Sequence, residues 1–266
     1  MRGTVNDGLR LTSRSGISRG VIEPKSHKVE LLEAVLSFFG VAAVEAWQEG
    51  WSMPQFAFRK SPAFEGKKGA MATWLRLGEL EAQKIECRPF DKATFRASLD
   101  EIRTLTMTGP DQFVPRMIEL CAISGVAVVL VPEIKGAPVS GAAKWLTPSK
   151  AMICLNLRGK SNDRFWFAFF HEAGHILNDS KKESFVDVDY QDDPREYQAN
   201  QFAASLLIPT NYDQELRGLT TYAAVVGFAR RIGIAPGIVV GRLQREGVIE
   251  YRQFNGLKQH LQWVED

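Results

Sequence analysis

The five residues His171-Glu172-Ala173-Gly174-His175 carry the densest chemistry in this chain. On a helix, residues four apart share a face, so both imidazoles can grip one metal ion while the glutamate between them reaches a water beside it. That arrangement suits metal-assisted hydrolysis. The alternative is two histidines and a glutamate buried as ordinary core residues, which would leave three polar groups, one turn apart, in need of partners. Phe165, Trp166, Phe167, Phe169 and Phe170 precede the motif and Ile176 and Leu177 follow it, so it is expected on a buried helix.

A catalytic zinc usually takes three protein ligands and keeps a fourth position open for water. The best third ligand downstream is Glu196, in a segment that begins at Pro194 after Asp192 and Asp193 and closes at Pro209. An aspartate cap, a proline in the first turn and a terminal proline mark one helix. On it Glu196 and Asn200 share a face, while Phe202 and Leu206 can pack against the first helix. Glu196 would then coordinate the metal, and Asn200 would hydrogen-bond a ligand histidine and hold its orientation. A glutamate in the first turn is also what the helix dipole favours at a solvated position, so spacing alone leaves that reading open.

The elements that must hold these residues can be read from periodicity. Helical spacing runs over residues 65–86, 91–106 and 115–123, the last ending near Gly125. Residues 126–132 read as a short buried strand, and residues 140–146 and 151–157 as a hairpin around the turn at Pro148. The metal helix is expected from about Asn162. Residues 222–232 and 235–244 make two short helices broken at Gly233 and Pro236. Such a pair, with Arg230, Arg231, Arg242 and Arg245, has the look of a DNA-binding helix pair, but packing is the plainer role. An extended peptide could add to the edge of the small sheet beside the metal, and residues 140–145, with Gly141 permitting close approach, are the candidate edge.

These residues carry a resemblance. His171-Glu172-Ala173-Gly174-His175-Ile176-Leu177, followed by Glu196-x-x-Ala199-Asn200-x-Phe202-Ala203-Ala204-x-Leu206-Leu207-Ile208-Pro209, resembles the two motifs of the ImmA/IrrE metallo-endopeptidases, the second of which runs E-x-E-A-N-x-F-A-A-x-L-L-x-P. The longer form of that family, which begins with a repressor-type helix-turn-helix, is similar across most of residues 29–260. The resemblance implies an α+β, zincin-like fold of gluzincin type, with a small sheet and an HExxH helix, preceded by a small helical amino-terminal segment. It implies Zn2+ held by His171, His175 and Glu196, with Glu172 as the catalytic base. It also implies a bacterial, cytoplasmic enzyme whose substrate is a protein, a helix-turn-helix repressor or operon partner, in a stress, phage or toxin-antitoxin setting. His and carboxylate ligands suit Mn2+ and Fe2+ as well.

Three departures from the family pattern stand out. Gln198 replaces the second glutamate of the later motif. Asn178-Asp179 replaces a common Leu-His, so Asp179, one turn beyond His175, is an alternative metal ligand. At the amino terminus, residues 11–23 and 29–41 resemble only the last part of a repressor-type DNA-binding domain. The division expected is residues 1–60 as this truncated segment and linker, and residues 61–266 as the peptidase domain with its carboxy-terminal helix pair. Arg10, Arg14, Arg19, Lys25 and Lys28 offer phosphate contacts. A recognition helix without its bracing partner is poorly supported, so a remnant or a dimer contact is the plainer reading.

Composition agrees with a globular protein: 266 residues, 45% hydrophobic, can bury a sizeable core. A net charge of +2 does not advertise nucleic-acid binding by the whole chain. Cys87, Cys121 and Cys154 are scattered and odd in number, which fits neither a disulfide framework nor a cysteine zinc site. The start lacks the apolar core of a signal peptide and no long apolar run marks a membrane span, so cytoplasm is expected. Two function classes follow: a zinc endopeptidase acting on a regulatory partner, or an antitoxin-like regulator that keeps the fold for protein or DNA binding with little hydrolysis. Glu172 favours the first, because a binding module has no use for a base.

Overall fold

The computed structural model describes residues 22–23, 27–52, 68–137, 139–179, 184–186 and 193–263. Residues 11–21 of the repressor-like stretch, with Arg10 and Lys25 beside it, and the acidic residues 187–192 lie outside them.

A four-stranded sheet stands at the centre, its strands β1 (Val126–Leu130), β2 (Gly141–Thr147), β3 (Lys150–Leu155) and β4 (Ser184–Val186) arranged in the order β1-β3-β2-β4. β3 runs parallel to β1 and antiparallel to β2. Successive side chains of a strand point to opposite faces, and both faces here are buried. Val126, Val128, Ala143, Ile153 and Leu155 enter one apolar cluster, while Ala127, Val129, Ala142, Met152 and Cys154 enter the other. Burial on both sides is why the strands read as unbroken apolar runs rather than as alternation.

The second cluster is closed by α1 (Lys28–Phe39), α2 (Val44–Trp47) with the π-helical turn Gln48–Ser52, and α3 (Lys68–Lys84). Trp74 of α3 donates its indole N–H to the Val131 carbonyl at 3.1 Å. Buried Glu79 accepts from Lys144 of β2 at 2.5 Å and from Arg76 at 2.9 Å. The first cluster, on the opposite face, holds α4 (Lys92–Leu105), α5 (Pro110–Ala122), α6 (Asn162–Asn178), α7 (Pro194–Leu207), the short α8 (Asp213–Leu216), α9 (Tyr222–Ile232) and α10 (Pro236–Arg245). The fold is thus mixed α and β.

Two sequence expectations need correction. α5 starts at Pro110 after Gly109, not at Pro115, which sits inside it. Pro110 occupies the first turn, where its missing N–H costs nothing, whereas Pro115 lies past that turn and forgoes one backbone hydrogen bond of the helix. The strand beginning at Gly141 is not the sheet edge: β4 pairs antiparallel with it, Ala142 opposite Val186 and Lys144 opposite Ser184. β4 is too short to announce itself by periodicity.

α4 fastens several of its neighbours. Lys92 at its start donates to the Leu177 carbonyl at 2.6 Å, in the last turn of α6. Arg103 near its end donates to Leu206 at 2.8 Å, to Leu207 at 3.0 Å and to Ile232 at 2.9 Å, the last turns of α7 and α9. Carbonyls at helix ends lack intrahelical partners, and cations there also meet the negative end of the dipole. Among the described residues no single helix is long and apolar enough to cross a membrane.

Candidate metal centre

α6 is buried along nearly its whole length, with only Arg164, Phe167 and Asn178 outside the core. Its aromatic residues anchor it, Phe165, Trp166, Phe169 and Phe170 each worth on the order of 1.5–3 kcal/mol of burial. Asp163 in its first turn pairs with Lys258 at 2.7 Å. The helix therefore presents His171 and His175 from a rigid support.

α7 lies across it, capped by the Asp193 carboxylate, which accepts from the Arg195 backbone N–H at 2.9 Å. The two helices approach at Gly174, where a β-carbon would sit 3.2 Å from the Cα of Ala199. This close crossing brings Glu196 over the histidines. Nε2 of His171 is 3.0 Å from Nε2 of His175 and 3.1 Å from a Glu196 carboxylate oxygen, whose other oxygen is 3.4 Å from His175. All three donor atoms lie within 4.8 Å of one another.

The outer ring nitrogens explain why these atoms face inward. Nδ1 of His171 is 3.1 Å from Oδ1 of Asn200, and Nδ1 of His175 is 2.6 Å from Asp179. With Nδ1 donating in each case, both Nε2 lone pairs point at the carboxylate. Three lone-pair donors in van der Waals contact repel unless positive charge sits among them. Tetrahedral zinc with bonds of about 2.0–2.1 Å holds its ligand atoms about 3.3 Å apart, close to the spacing here, so the donor set fits such an ion. Asp179 is thus placed behind His175 rather than among the three converging donors, and Asn200 behind His171.

Titration points the same way. Burial works to lower His175, but hydrogen bonds to Asp179 and Glu196, with the negative charge of Glu172 and Glu196, push it up to about 10. Burial works to raise the Glu196 carboxyl, yet His171 and His175 hold it down at about 2. Both shifts favour a positive charge among these groups, and because protons compete with a metal for His175, metal affinity is expected to weaken as pH falls.

Glu172 is fully buried, and a β-carbon added at Gly141 of β2 would come within 2.7 Å of its carboxylate. Gly141 lets the sheet close over this side chain, a role visible in sequence only as a glycine within a strand. Gln198, which stands where the family pattern has its second glutamate, is exposed on the outer face of α7. The three cysteines are free, and burial pushes the thiols of Cys87, Cys121 and Cys154 up.

Replacing Asn200 with alanine should weaken metal affinity roughly 10–100-fold, and Asp179→Ala should do so too, since each removes the group that orients a histidine. Competition against a chromophoric chelator would measure this. Unchanged affinity in both variants would show that the rings need no such support.

No curated protein matches this chain. The span from β1 through α10, which supplies every residue of the cluster, matches a family model: residues 128–243 are similar to the IrrE N-terminal-like domain of the Peptidase_M78 type, a match that supports membership of the ImmA/IrrE peptidase family.

Proposed function

We propose that this protein is a zinc-dependent endopeptidase of zincin-like, gluzincin-type layout that cleaves a regulatory partner protein, a repressor or toxin-antitoxin component, in a bacterial stress, phage or mobile-element response. The observation that carries the reading is the convergence of His171, His175 and Glu196, each histidine oriented from behind, around a space beside the buried carboxylate of Glu172. A pure binding surface has no need of a buried base next to three inward-facing donors.

Zinc, when bound, supplies a Lewis acid and brings the pKa of water towards about 7. The protein's own groups do the rest. His171, His175 and Glu196 hold the ion. Asn200 and Asp179 keep the two rings in the tautomer that offers Nε2. Glu172 takes the proton of the attacking water and returns it to the leaving amine. The sheet and helix walls keep bulk water from the carboxylate.

Within this reading residues 61–266 form the peptidase part and residues 1–60 a helical segment ahead of it. Val35, Phe39 and Trp47 of that segment share a cluster with Met152 and Cys154 of the sheet, so the two parts should be tested as one chain. Three free cysteines suit a reducing, cytoplasmic setting.

Metal analysis of the purified chain tests the proposal. About one zinc per chain is expected, and little in His171→Ala or Glu196→Ala. Elemental analysis also covers manganese and iron. Absence of any metal after a zinc reload would sink the peptidase reading and leave a regulator that uses the fold for binding.

A further inference from the structure

We propose that Arg245, laid over the ring of Phe167 beside the metal centre, forms a subsite that receives an acidic side chain of the peptide substrate. This rests on the peptidase reading above and adds a chemical preference to it.

Phe167 lies one helical turn before His171 on the same face of α6, the two rings 6.3 Å apart. Between Arg164 and Asn178 it is the one residue of α6 that is not buried, so the metal helix meets the surface here. The Arg245 guanidinium, in the last turn of α10, lies 4.8 Å from the Phe167 ring centroid. A guanidinium held over an aromatic face by cation–π attraction can still donate through its N–H groups to a further partner.

Among the described residues the Arg245 guanidinium meets no carboxylate. Arg76, Arg116, Arg195, Arg231, Arg242 and Arg252 each pair with a nearby aspartate or glutamate, whereas Arg245 has no ion pair among the described residues. Its chain neighbour Glu246 is taken by Arg242. An exposed arginine held over a ring, with no ion pair among the described residues, is a ready receptor for a carboxylate, which it can bind through two parallel hydrogen bonds.

Position supplies the second half of the argument. The centre itself is acidic, with Glu172, Glu196 and Asp179 gathered in one pocket. Acidic substrate side chains are therefore repelled from the pocket and drawn to Arg245 outside it. An extended peptide rises about 3.3 Å per residue, so a chain crossing the metal would set the acidic residue about two or three positions from the bond cleaved. Aspartate or glutamate at that position, rather than an apolar anchor, is the preference that follows.

The test uses the full chain, zinc-loaded, with Glu172→Gln as background so that bound peptides are not turned over, on an array of immobilised nonapeptides. Bound peptides are expected to share an Asp or Glu at one position, and changing that residue to Asn or Gln should weaken binding about tenfold. Adding Arg245→Ala should erase the difference, Arg245→Lys should keep part of it, and Arg245→Glu should turn the preference towards Lys or Arg. Arg245 is exposed, so circular dichroism and thermal melting should not change. The same motif with and without Arg245, or no binding to any array peptide, would overturn the proposal. Cleavage of the array by the wild-type chain is scored separately. Acid-selective binding without cleavage would remove the peptidase reading and leave the subsite standing, and cleavage indifferent to Arg245 would do the reverse.

Discussion

Glu172→Gln is expected to lower peptide hydrolysis by about 10^2–10^4-fold while metal content stays near that of the wild type. The side chain is fully buried and lies against Gly141, so glutamine, of the same shape, can take its place without displacing β2. What it removes is the capacity to accept a proton. The three converging donors are His171, His175 and Glu196, so the ion should be retained. Turnover of a susceptible peptide, metal content and thermal melting, measured together, separate the cases. Lost turnover with retained metal and fold supports Glu172 as the base. Turnover within a few-fold of wild type would remove that role, and parallel loss of metal would mean that Glu172 belongs to the ion's support instead.

Gly174→Val is expected to do the opposite, weakening metal binding through packing alone. A β-carbon at Gly174 would lie 3.1 Å from Cδ1 of Phe202 and 3.2 Å from the Cα of Ala199. The Phe202 ring can swing aside, but the Ala199 backbone belongs to α7 and can give way only if the helix moves. Valine adds two further methyl groups at the tightest point of the crossing. Overpacking of this kind costs about 1–3 kcal/mol. Because Glu196 and Asn200 flank Ala199 on α7, the shift would carry the third donor and the His171 partner away together. Metal affinity should fall roughly 10–100-fold, the range found when support around ligands is disturbed. Gly174→Ala should fall between valine and wild type. Wild-type affinity in the valine variant, by chelator competition, would show that α7 is not held at this crossing.

How much of this was legible in the sequence depends on the range of the interaction. The convergence of His171 and His175 follows from a four-residue spacing on one helix, a local rule, and Glu196 with Asn200 follows from the next helix and its capping signals. Strands β1 to β3 and most helix limits followed from apolar runs and turn residues for the same reason. Asp179 was harder. One turn beyond His175 a carboxylate can reach either the metal or the far ring nitrogen, and the choice depends on the extended backbone of Asp179 at the end of α6. β4 was not legible, because three residues give no period and its pairing with β2 is settled by backbone groups distant in sequence. Gly141 and Gly174 were visible as glycines, but what each admits, a carboxylate in one case and a helix in the other, is a tertiary fact.

The grip of α4 on its neighbours has a consequence for how the site is assembled. Lys92 holds the end of α6 and Arg103 the ends of α7 and α9, so one amphipathic helix sets the mutual placement of the two segments that bear the converging donors. In small metal-dependent domains the ion itself is the crosslink, and chelation unfolds the chain. Here hydrogen bonds of the protein also tie together the helices that bear the donors, so chelation is expected to cost this chain less of its structure than it costs such domains.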